Sequence, residues 1–182
     1  MVENQISGSY VECGVSRGDS ILVMAYKLLS MNVSAEIWAF DTFQGTSLPS
    51  NEDYVISAGD ARHSKWRPQK IAYASLEEFN VGAKPFLDSG IDILPIQGDV
   101  CQTLIQNKPP KIALLRINTA IYEAVRCCLE ELWPLVSAGG VVIIDHYDHW
   151  TGAREATKEY FLKFDKKPLL IHMDTGRILI KH

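Results

Sequence analysis

Residues 10–20, Y-V-E-C-G-V-S-R-G-D-S, constrain the fold of this chain more than any other segment. Their apolar start is typical of a short strand, which ends near Glu12, turns through Gly14 and Gly18 and opens a helix. A strand, a glycine turn and a helix in this order predict an α/β fold, with backbone N–H groups free to hold a polar cofactor. Three residues separate the two glycines and no third glycine follows, so the dinucleotide fingerprint G-x-G-x-x-G is absent.

Glu12 indicates the chemistry of that cofactor. A carboxylate beside the turn suits a ligand with an ammonium group better than it suits a pyrophosphate. S-adenosylmethionine carries an ammonium and a sulfonium, so we predict that it is the cofactor. Its expected contacts at the turn are Glu12, Cys13, Gly14, Gly18 and Ser20. The alternative is that Glu12 is a solvated strand end, because glycine turns between a strand and a helix are common.

The composition is that of an ordinary globular domain. Of the 182 residues, 47% are hydrophobic and 22% are charged, which suits one domain with a sizeable core. The net charge of −4 argues against a nucleic-acid partner held by electrostatics. The first residues are polar, and no apolar run approaches the ~20 residues of a membrane span. We therefore expect a cytoplasmic protein with no nucleic-acid and no membrane partner.

The cysteines favour a reducing compartment. Cys127 and Cys128 are adjacent on a predicted helix and cannot both face one partner, and Cys13 lies at a predicted strand end. No C-x-x-C pair is present, which argues against a zinc knuckle. We expect the thiols to be reduced.

Apolar runs that alternate with helical patterns predict a mostly parallel sheet. The expected strands are residues 9–13, 35–41, 91–96, 112–117 and 140–145. The expected helices are residues 19–31, 75–80 continued through 85–89, 101–106, 121–136 and 152–164. Two β-rich segments, 168–173 and 177–181, close the chain around Asp174-Thr175-Gly176, which is a hairpin signal that makes the last strand antiparallel.

Residues 42–73 form the one long segment without a regular pattern. An irregular segment of this length inside a compact domain is usually functional or disordered. It contains Arg62, His63 and Trp66 among many polar residues. We interpret it as a partly ordered substrate lid.

The residues that follow the predicted strands are candidates for ligand contacts, because ligands bind beyond the carboxyl ends of parallel strands. Asp41 is placed to accept hydrogen bonds from both ribose hydroxyls, and Asp99 to accept one from an exocyclic amine. Phe43 and Val100 supply apolar walls. Each acid taken singly is as readily a helix cap or turn residue. Together with Glu12, they predict a pocket for an adenosyl cofactor.

The fifth predicted strand ends in a dense group of titratable residues. The group is Asp145, His146, Asp148 and His149, with Tyr147 and Trp150 between and beside them. Imidazole and carboxylate together are ligands for a divalent transition metal. A histidine there is alternatively a general base, since its unperturbed pKa is about 6.5. A third interpretation is a polar loop that caps the following helix.

The order of these motifs is similar to that of one known family. The motifs are V-E-C-G-V-S-R-G-D-S, A-F-D-T-F-Q-G, Y-A-S-L-E-E, Q-G-D-V-C-Q-T-L, K-I-A-L-L-R-I-N-T-A-I-Y-E-A and G-G-V-V-I-I-D-H-Y-D-H-W-T-G-A-R. They resemble the macrocin O-methyltransferase (TylF-type) family of class I S-adenosylmethionine enzymes, which methylates sugar hydroxyls of natural products. The resemblance implies one Rossmann-like domain over residues 1–182, with a mostly parallel seven-stranded sheet, an antiparallel terminal strand and helices on both faces. It also implies a small-molecule acceptor and a possible homo-oligomer.

The chain departs from that family where the family binds Mg²⁺. The family reads L-D-T-D or L-D-G-D after the fourth strand, whereas residues 117–120 here are I-N-T-A. The family has two aspartates after the fifth strand, whereas this chain has Asp145 and His146. The remaining set of Asp145, Asn118 and His146 is a degenerate metal site, because Mg²⁺ prefers charged oxygen donors. We therefore expect Mg²⁺ to bind poorly, if at all.

Three hypotheses follow for the activity. The first is a methyltransferase that does not depend on Mg²⁺, with catalytic residues Asp145, His146 and His149, in which a histidine is the base. The second is a non-catalytic protein that binds S-adenosylmethionine. The third is a different reaction at a transition metal held by the rebuilt loop. The family usually carries further helices before the first strand, and about eight residues precede it here, so we expect a trimmed chain or a relative with a more open acceptor site.

Overall fold

The described residues of this computed structural model are 6–46, 52–57, 60–65 and 73–182. Within them, strands and helices follow each other as predicted for an α/β fold. In chain order they are β1 (Ser9–Cys13), α1 (Asp19–Ser30), β2 (Ala35–Asp41), β3 (Tyr54–Ser57), β4 (Asp60–Lys65), α2 (Leu76–Ala83), β5 (Ile91–Gln97), α3 (Val100–Thr103), β6 (Ile112–Ile117), α4 (Tyr122–Leu132), β7 (Val136–Ile144), α5 (Thr151–Leu162), β8 (Ile171–Met173) and β9 (Gly176–Ile180). Short 3₁₀ turns at Lys84–Phe86 and Trp133–Leu135 follow α2 and α4.

Seven strands form the main sheet, in the order β5-β2-β1-β6-β7-β9-β8. The first five strands of that order are parallel to one another, and β9 is antiparallel to both β7 and β8. The predicted mostly parallel sheet with an antiparallel terminal strand is therefore confirmed. Cys13 pairs with Phe40 on one side and with Ile117 on the other, so the carboxyl ends of β1, β2 and β6 lie level.

Helices cover both faces of the sheet, and each face has its own apolar core. All five residues of β1 are buried, as expected for a central parallel strand. Val11 and Cys13 face the core that includes α4 and α5, while Tyr10 faces the core that includes α1 and α2. The same alternation turns the side chain of Glu12 toward α1, where Ser20 lies.

The predicted helices and the last strands differ from the observed ones mainly at their ends. The helix expected over 121–136 ends at Leu132, because Pro134 lies in the 3₁₀ turn that follows. β7 begins at Val136, whereas the expected strand began at residue 140. The added first part of β7 pairs with β6 across a shift in register. A capping box at Ser75, with Glu78, starts α2.

None of the described helices is long and apolar enough to cross a membrane.

The segment 42–73 is more regular than predicted. Its described part contains the antiparallel hairpin of β3 and β4, so the expectation of an irregular segment is wrong there. Arg62 and His63 belong to β4, and Trp66 lies outside the described residues. The polar composition of the segment gives little indication of these strands.

The hairpin is attached to the loop after β7. The Ile56 N–H donates to the His149 carbonyl oxygen at 2.8 Å, and Val55 forms a β-bridge with Trp150. Asp53 is buried, and its Oδ1 accepts the Tyr122 N–H at the start of α4, at 2.7 Å. These contacts hold residues 52–57 at the carboxyl end of the sheet.

The cysteines differ from expectation. Cys101 and Cys127 form a disulfide with Cα atoms 5.5 Å apart, so the expectation of reduced thiols is wrong for this pair. The reason is tertiary: α3 and α4 pack together and bring the two residues face to face. Cys13 and Cys128 are buried free thiols, and their hydrogen bond together with burial raises the pKa of Cys13.

Candidate active site

A cavity of about 240 Å³ lies at the carboxyl ends of the parallel strands. Its walls come from the turns after β1, β2, β5, β6 and β7, as the rule for parallel sheets predicts. It is lined by Cys13, Gly14, Ser16, Phe40, Asp41, Thr42, Gly45, Thr46, Gly98, Val100, Asn118, Thr119, Ala120, Ile121, Ala124, His146 and Trp150. The sequence-predicted pocket and this cavity therefore occupy the same edge of the sheet.

Gly14 forms the floor of the turn after β1. Its φ is +87°, and a Cβ there would lie 2.3 Å from the Asn118 carbonyl oxygen, so no residue with a side chain fits. Its N–H donates to the Phe40 carbonyl oxygen at 2.8 Å, and the Asn118 N–H donates to the Cys13 carbonyl oxygen at 2.8 Å. The turn is thus fastened to the neighbouring strands on both sides.

Asp41 lies on the cavity wall, but its carboxylate is largely used by the backbone. Oδ2 accepts the N–H groups of Val15 and Ser16 at 2.8 and 2.9 Å, and Oδ1 accepts the Phe43 N–H at 2.8 Å. A carboxylate offers about four acceptor positions. Asp41 therefore shapes the glycine turn and has little capacity left for two ribose hydroxyls.

Glu12 does not line the cavity, although the sequence suggested that it faces a ligand. It is fully buried, and its carboxylate accepts the Ser20 hydroxyl at 2.6–2.7 Å and pairs with the Arg116 guanidinium. Burial raises the pKa of Glu12, while Arg116 and Ser20 act in the opposite direction. Both Glu12 and Ser20 are satisfied inside the protein, because the strand alternation turns Glu12 toward α1.

Three further predicted contacts lie away from the cavity. Gly18, with φ +89°, is the residue before α1 and lies against the ring of Phe79. Phe43 is buried against the same ring, with centroids 5.3 Å apart. Asp99 caps α3 by accepting the Cys101 N–H at 2.8 Å, which is the helix-cap alternative. Of the nine predicted cofactor residues, the structure brings Cys13, Gly14, Asp41 and Val100 to the cavity.

The sequence did not predict several of the residues that line the cavity. Ser16 lies two residues after the predicted contact Gly14, Thr42 directly follows one and Gly98 directly precedes one. Taking the whole turn after each strand would therefore have found them. Phe40 belongs to the end of β2 and replaces Phe43 as the apolar wall. Trp150 was noted only as a neighbour of the titratable group. Its position follows from the β-bridge to Val55, which local sequence does not encode.

The three predicted catalytic residues are separated by the fold. His146 lines the cavity with φ +60°, and burial lowers its pKa. The imidazole of His146 is therefore mainly neutral at pH 7. His149 is exposed beside Trp150, with ring centroids 6.0 Å apart, and is absent from the cavity wall. Asp145 lies behind His146 and pairs with Arg116.

The family's Mg²⁺ does not fit the residues present here. Asp145 Oδ2 accepts Arg116 Nη2 at 2.5 Å, and Asp145 Oδ1 accepts the His146 N–H at 2.9 Å. Asn118 turns its amide nitrogen to the Gly14 carbonyl oxygen, and Ala120 has no donor atom. A guanidinium beside the one remaining carboxylate repels a divalent cation. Within the described ranges, no three His, Cys, Asp or Glu side chains are grouped to hold a metal ion.

Asp148 belongs to a different part of the loop. Its carboxylate pairs with Arg177 at 2.6 Å and Arg154 at 3.2 Å, and the hydrogen bond from Arg177 lowers its pKa. The Arg177 guanidinium lies over the ring of Tyr147, with Cζ 4.5 Å from the ring centroid. This cluster fastens the loop to β9, so Asp148 has a structural position outside the cavity.

The sheet order, with its antiparallel last strand and a cavity at the carboxyl ends, defines a class I methyltransferase fold. The chain belongs to the macrocin O-methyltransferase (TylF) family, whose model matches residues 1–178.

Characterised relatives agree with this assignment. The chain is 32% identical to demethyldecarbamoylnovobiocin O-methyltransferase of Streptomyces niveus, over 96% of this chain and 66% of that protein. It is 26% identical to a rhamnosyl-tetracenomycin-C 4'-O-methyltransferase of Streptomyces olivaceus, over 97% of this chain and 67% of that protein. The chain thus spans about two thirds of the length of these relatives.

Solved structures agree at the level of the fold. The O-methyltransferase NovP superposes with a TM-score of 0.83 at 30% identity, over 99% of this chain and 74% of that chain. The calicheamicin methyltransferase CalS11 superposes with a TM-score of 0.69 at 22% identity, over 96% of this chain and 72% of that chain.

Proposed function

We propose that this chain is an S-adenosylmethionine-dependent O-methyltransferase that acts on a small natural-product or sugar-like acceptor. The observation that carries the proposal is the cavity beside the glycine turn, in a chain of a methyltransferase family. Curated relatives are named as O-methyltransferases of novobiocin-, tetracenomycin- and mycinamicin-type compounds, which supports an acceptor of this kind.

The chemistry of the cavity residues supports an adenosyl cofactor. Gly14 and Ser16 present approachable backbone on one side, while Phe40 and Val100 offer apolar walls for a base. The cofactor would supply the electrophilic methyl carbon. The residues of the chain would orient it against the acceptor, which is where much of the acceleration of an in-line displacement arises.

We assign the general base to His146. When bound, the cofactor would supply the methyl group, and the imidazole of His146 would take the proton that the acceptor hydroxyl loses. His146 lies on the cavity wall and is mainly neutral at pH 7, because burial lowers its pKa. A neutral imidazole accepts a proton, whereas a protonated one cannot. Asp145, paired with Arg116, is positioned behind His146 rather than at the cavity.

The activity we propose does not require Mg²⁺. Asp145 is paired with Arg116, and Asn118 and Ala120 provide no negative charge. Dehydration of Mg²⁺ is normally offset by several charged oxygen donors. EDTA should therefore leave both cofactor binding and methyl transfer unchanged. Activity abolished by EDTA and restored by Mg²⁺ would overturn this part of the proposal.

Calorimetric titration with S-adenosylmethionine and S-adenosylhomocysteine, with and without Mg²⁺, tests the proposal directly. We expect both to bind with one-to-one stoichiometry and an affinity that Mg²⁺ does not alter. Binding-competent protein is then assayed for S-adenosylhomocysteine release with hydroxylated glycosides and phenolic natural products as acceptors. Absence of cofactor binding would contradict the proposal.

A non-catalytic S-adenosylmethionine-binding protein is the second candidate. The Arg116–Asp145 ion pair favours it, because the aspartate that the sequence predicted to be catalytic is already held in an ion pair. Tight cofactor binding without turnover across the acceptor panel would identify this candidate. A reaction at a transition metal has less support, since Asp145 and His146 are joined by no third such side chain among the described residues.

A further inference from the structure

The side chain of Asn118 makes a contact that the activity described above does not use. Its Nδ2 donates to the Gly14 carbonyl oxygen at 2.8 Å and lies 3.5 Å from Oε1 of Glu12. The backbone of the same residue reaches the same turn, since the Asn118 N–H donates to the Cys13 carbonyl oxygen. Asn118 is thus attached to the glycine turn by both its main chain and its side chain.

The atoms around this amide require a donor. The nitrogen faces a backbone carbonyl oxygen and the carboxylate of Glu12, both of which accept hydrogen bonds. An ionised aspartate at this position would place acceptor against acceptor and a second negative charge beside fully buried Glu12. The neighbouring cation, Arg116, is already shared between Glu12 and Asp145. An isosteric carboxylate is therefore disfavoured here.

We propose that Asn118 is a positioning residue for the cofactor, holding the Gly14 carbonyl and the turn after β1 in their binding conformation. Gly14 has no side chain that could fix the conformation of the turn, and a Cβ on it would collide with the Asn118 carbonyl oxygen. The turn is therefore shaped by residues outside it, by Asn118 after β6 and by Asp41 at the end of β2. The part of this inference that concerns affinity rests on the proposed binding of S-adenosylmethionine.

The first test compares S-adenosylhomocysteine affinity by calorimetry for the wild type, Asn118→Ala and Asn118→Asp. Loss of the hydrogen bond in Asn118→Ala should weaken binding about five- to tenfold. Asn118→Asp should weaken it further, because it adds repulsion between acceptors, and Mg²⁺ should not restore it. The matched control is Asn107→Asp, since Asn107 also donates its amide to a backbone carbonyl, that of Thr103, away from the cavity. Asn118→Asp binding as tightly as the wild type would overturn the inference.

The second test does not depend on the cofactor. Hydrogen–deuterium exchange of the ligand-free protein is followed in peptides that cover residues 10–20. Asn118→Asp should exchange faster there than the wild type, while Asn107→Asp should not. Equal exchange in all three proteins would overturn the inference. If the wild type does not bind S-adenosylhomocysteine but exchange still responds to Asn118→Asp, the proposed function fails and the role of Asn118 in shaping the turn stands.

Discussion

The carboxylate of Asp41 accepts the backbone N–H of Val15 at 2.8 Å, across 26 residues of sequence. The second strand therefore shapes the turn that follows the first. The same oxygen also accepts the Ser16 N–H at 2.9 Å, so two consecutive N–H groups of the turn converge on one carboxylate oxygen. The cavity wall depends on this arrangement, because Ser16 and Asp41 both line it.

Substitution of Asp41 should damage the cofactor site more than the fold. Asp41→Ala removes charge-assisted hydrogen bonds to the turn, each of which contributes about 1.5–3 kcal/mol. We expect S-adenosylhomocysteine affinity to fall at least about tenfold, measured by calorimetry. The control is Asp92→Ala, an exposed acid on β5 that is absent from this cavity. Equal affinities in the two variants would show that Asp41 has no role in binding.

Gly14 should tolerate no side chain. In Gly14→Ala, the new Cβ would lie 2.3 Å from the Asn118 carbonyl oxygen at a φ of +87°, so the turn has to move. We expect loss of measurable S-adenosylhomocysteine binding, with a lower melting temperature. Gly82→Ala is the matched control, because its Cβ would meet only Leu22 Cδ1 at 3.5 Å inside α2. Normal binding by Gly14→Ala would place the cofactor elsewhere.

His146 should set the acidic limb of the pH–rate profile. Burial lowers its pKa below the ordinary value of about 6.5, so the base is available at pH 7 and is lost as the pH falls through that lowered pKa. His146→Asn keeps a residue that tolerates a positive φ and should reduce kcat while flattening the acidic limb. His149→Asn is the comparison variant, since His149 is exposed outside the cavity. A normal profile in His146→Asn would remove it as the base.

The same pKa shift predicts a pH dependence of stability. The unfolded state binds a proton at His146 more readily than the folded state does, so the free energy of unfolding should decrease as the pH falls below about 6.5. It should level off below the lowered pKa of the folded protein. Urea unfolding at several pH values, with the wild type against His146→Asn, isolates this contribution. An identical pH slope in both proteins would contradict it.

The Cys101–Cys127 disulfide should stabilise the folded chain. It closes a loop with a sequence separation of 26, for which chain entropy predicts about 3 kcal/mol. We expect a lower melting temperature with reductant or in Cys127→Ser. The chain without reductant should titrate two thiols after denaturation, and four after reduction. Four thiols in the non-reduced chain would show that the bond is absent.

Local sequence patterns were sufficient for the elements that surround the site. The apolar run and glycines of residues 10–20 predict β1, its turn and the start of α1, because strand period and backbone freedom are properties of the segment itself. The hairpin at the end of the chain was predicted on the same grounds. The hairpin of β3 and β4 was missed, because the segment is largely polar and the contact that attaches the hairpin, to Trp150, lies outside the segment.

Apart from the hairpin of β3 and β4, the order of strands and helices, the parallel sheet and a cavity at the strand ends followed from the sequence by itself. Which side chains face the cavity was decided by tertiary structure. Glu12 pairs with Arg116 across 104 residues, and Arg116 reaches Asp145 from the other side. The hydrophobic periodicity of a segment indicates which of its side chains are buried. It does not indicate which donor from a distant segment will pair with a buried carboxylate. Glu12, which the sequence predicted as a ligand contact, forms an internal ion pair for that reason.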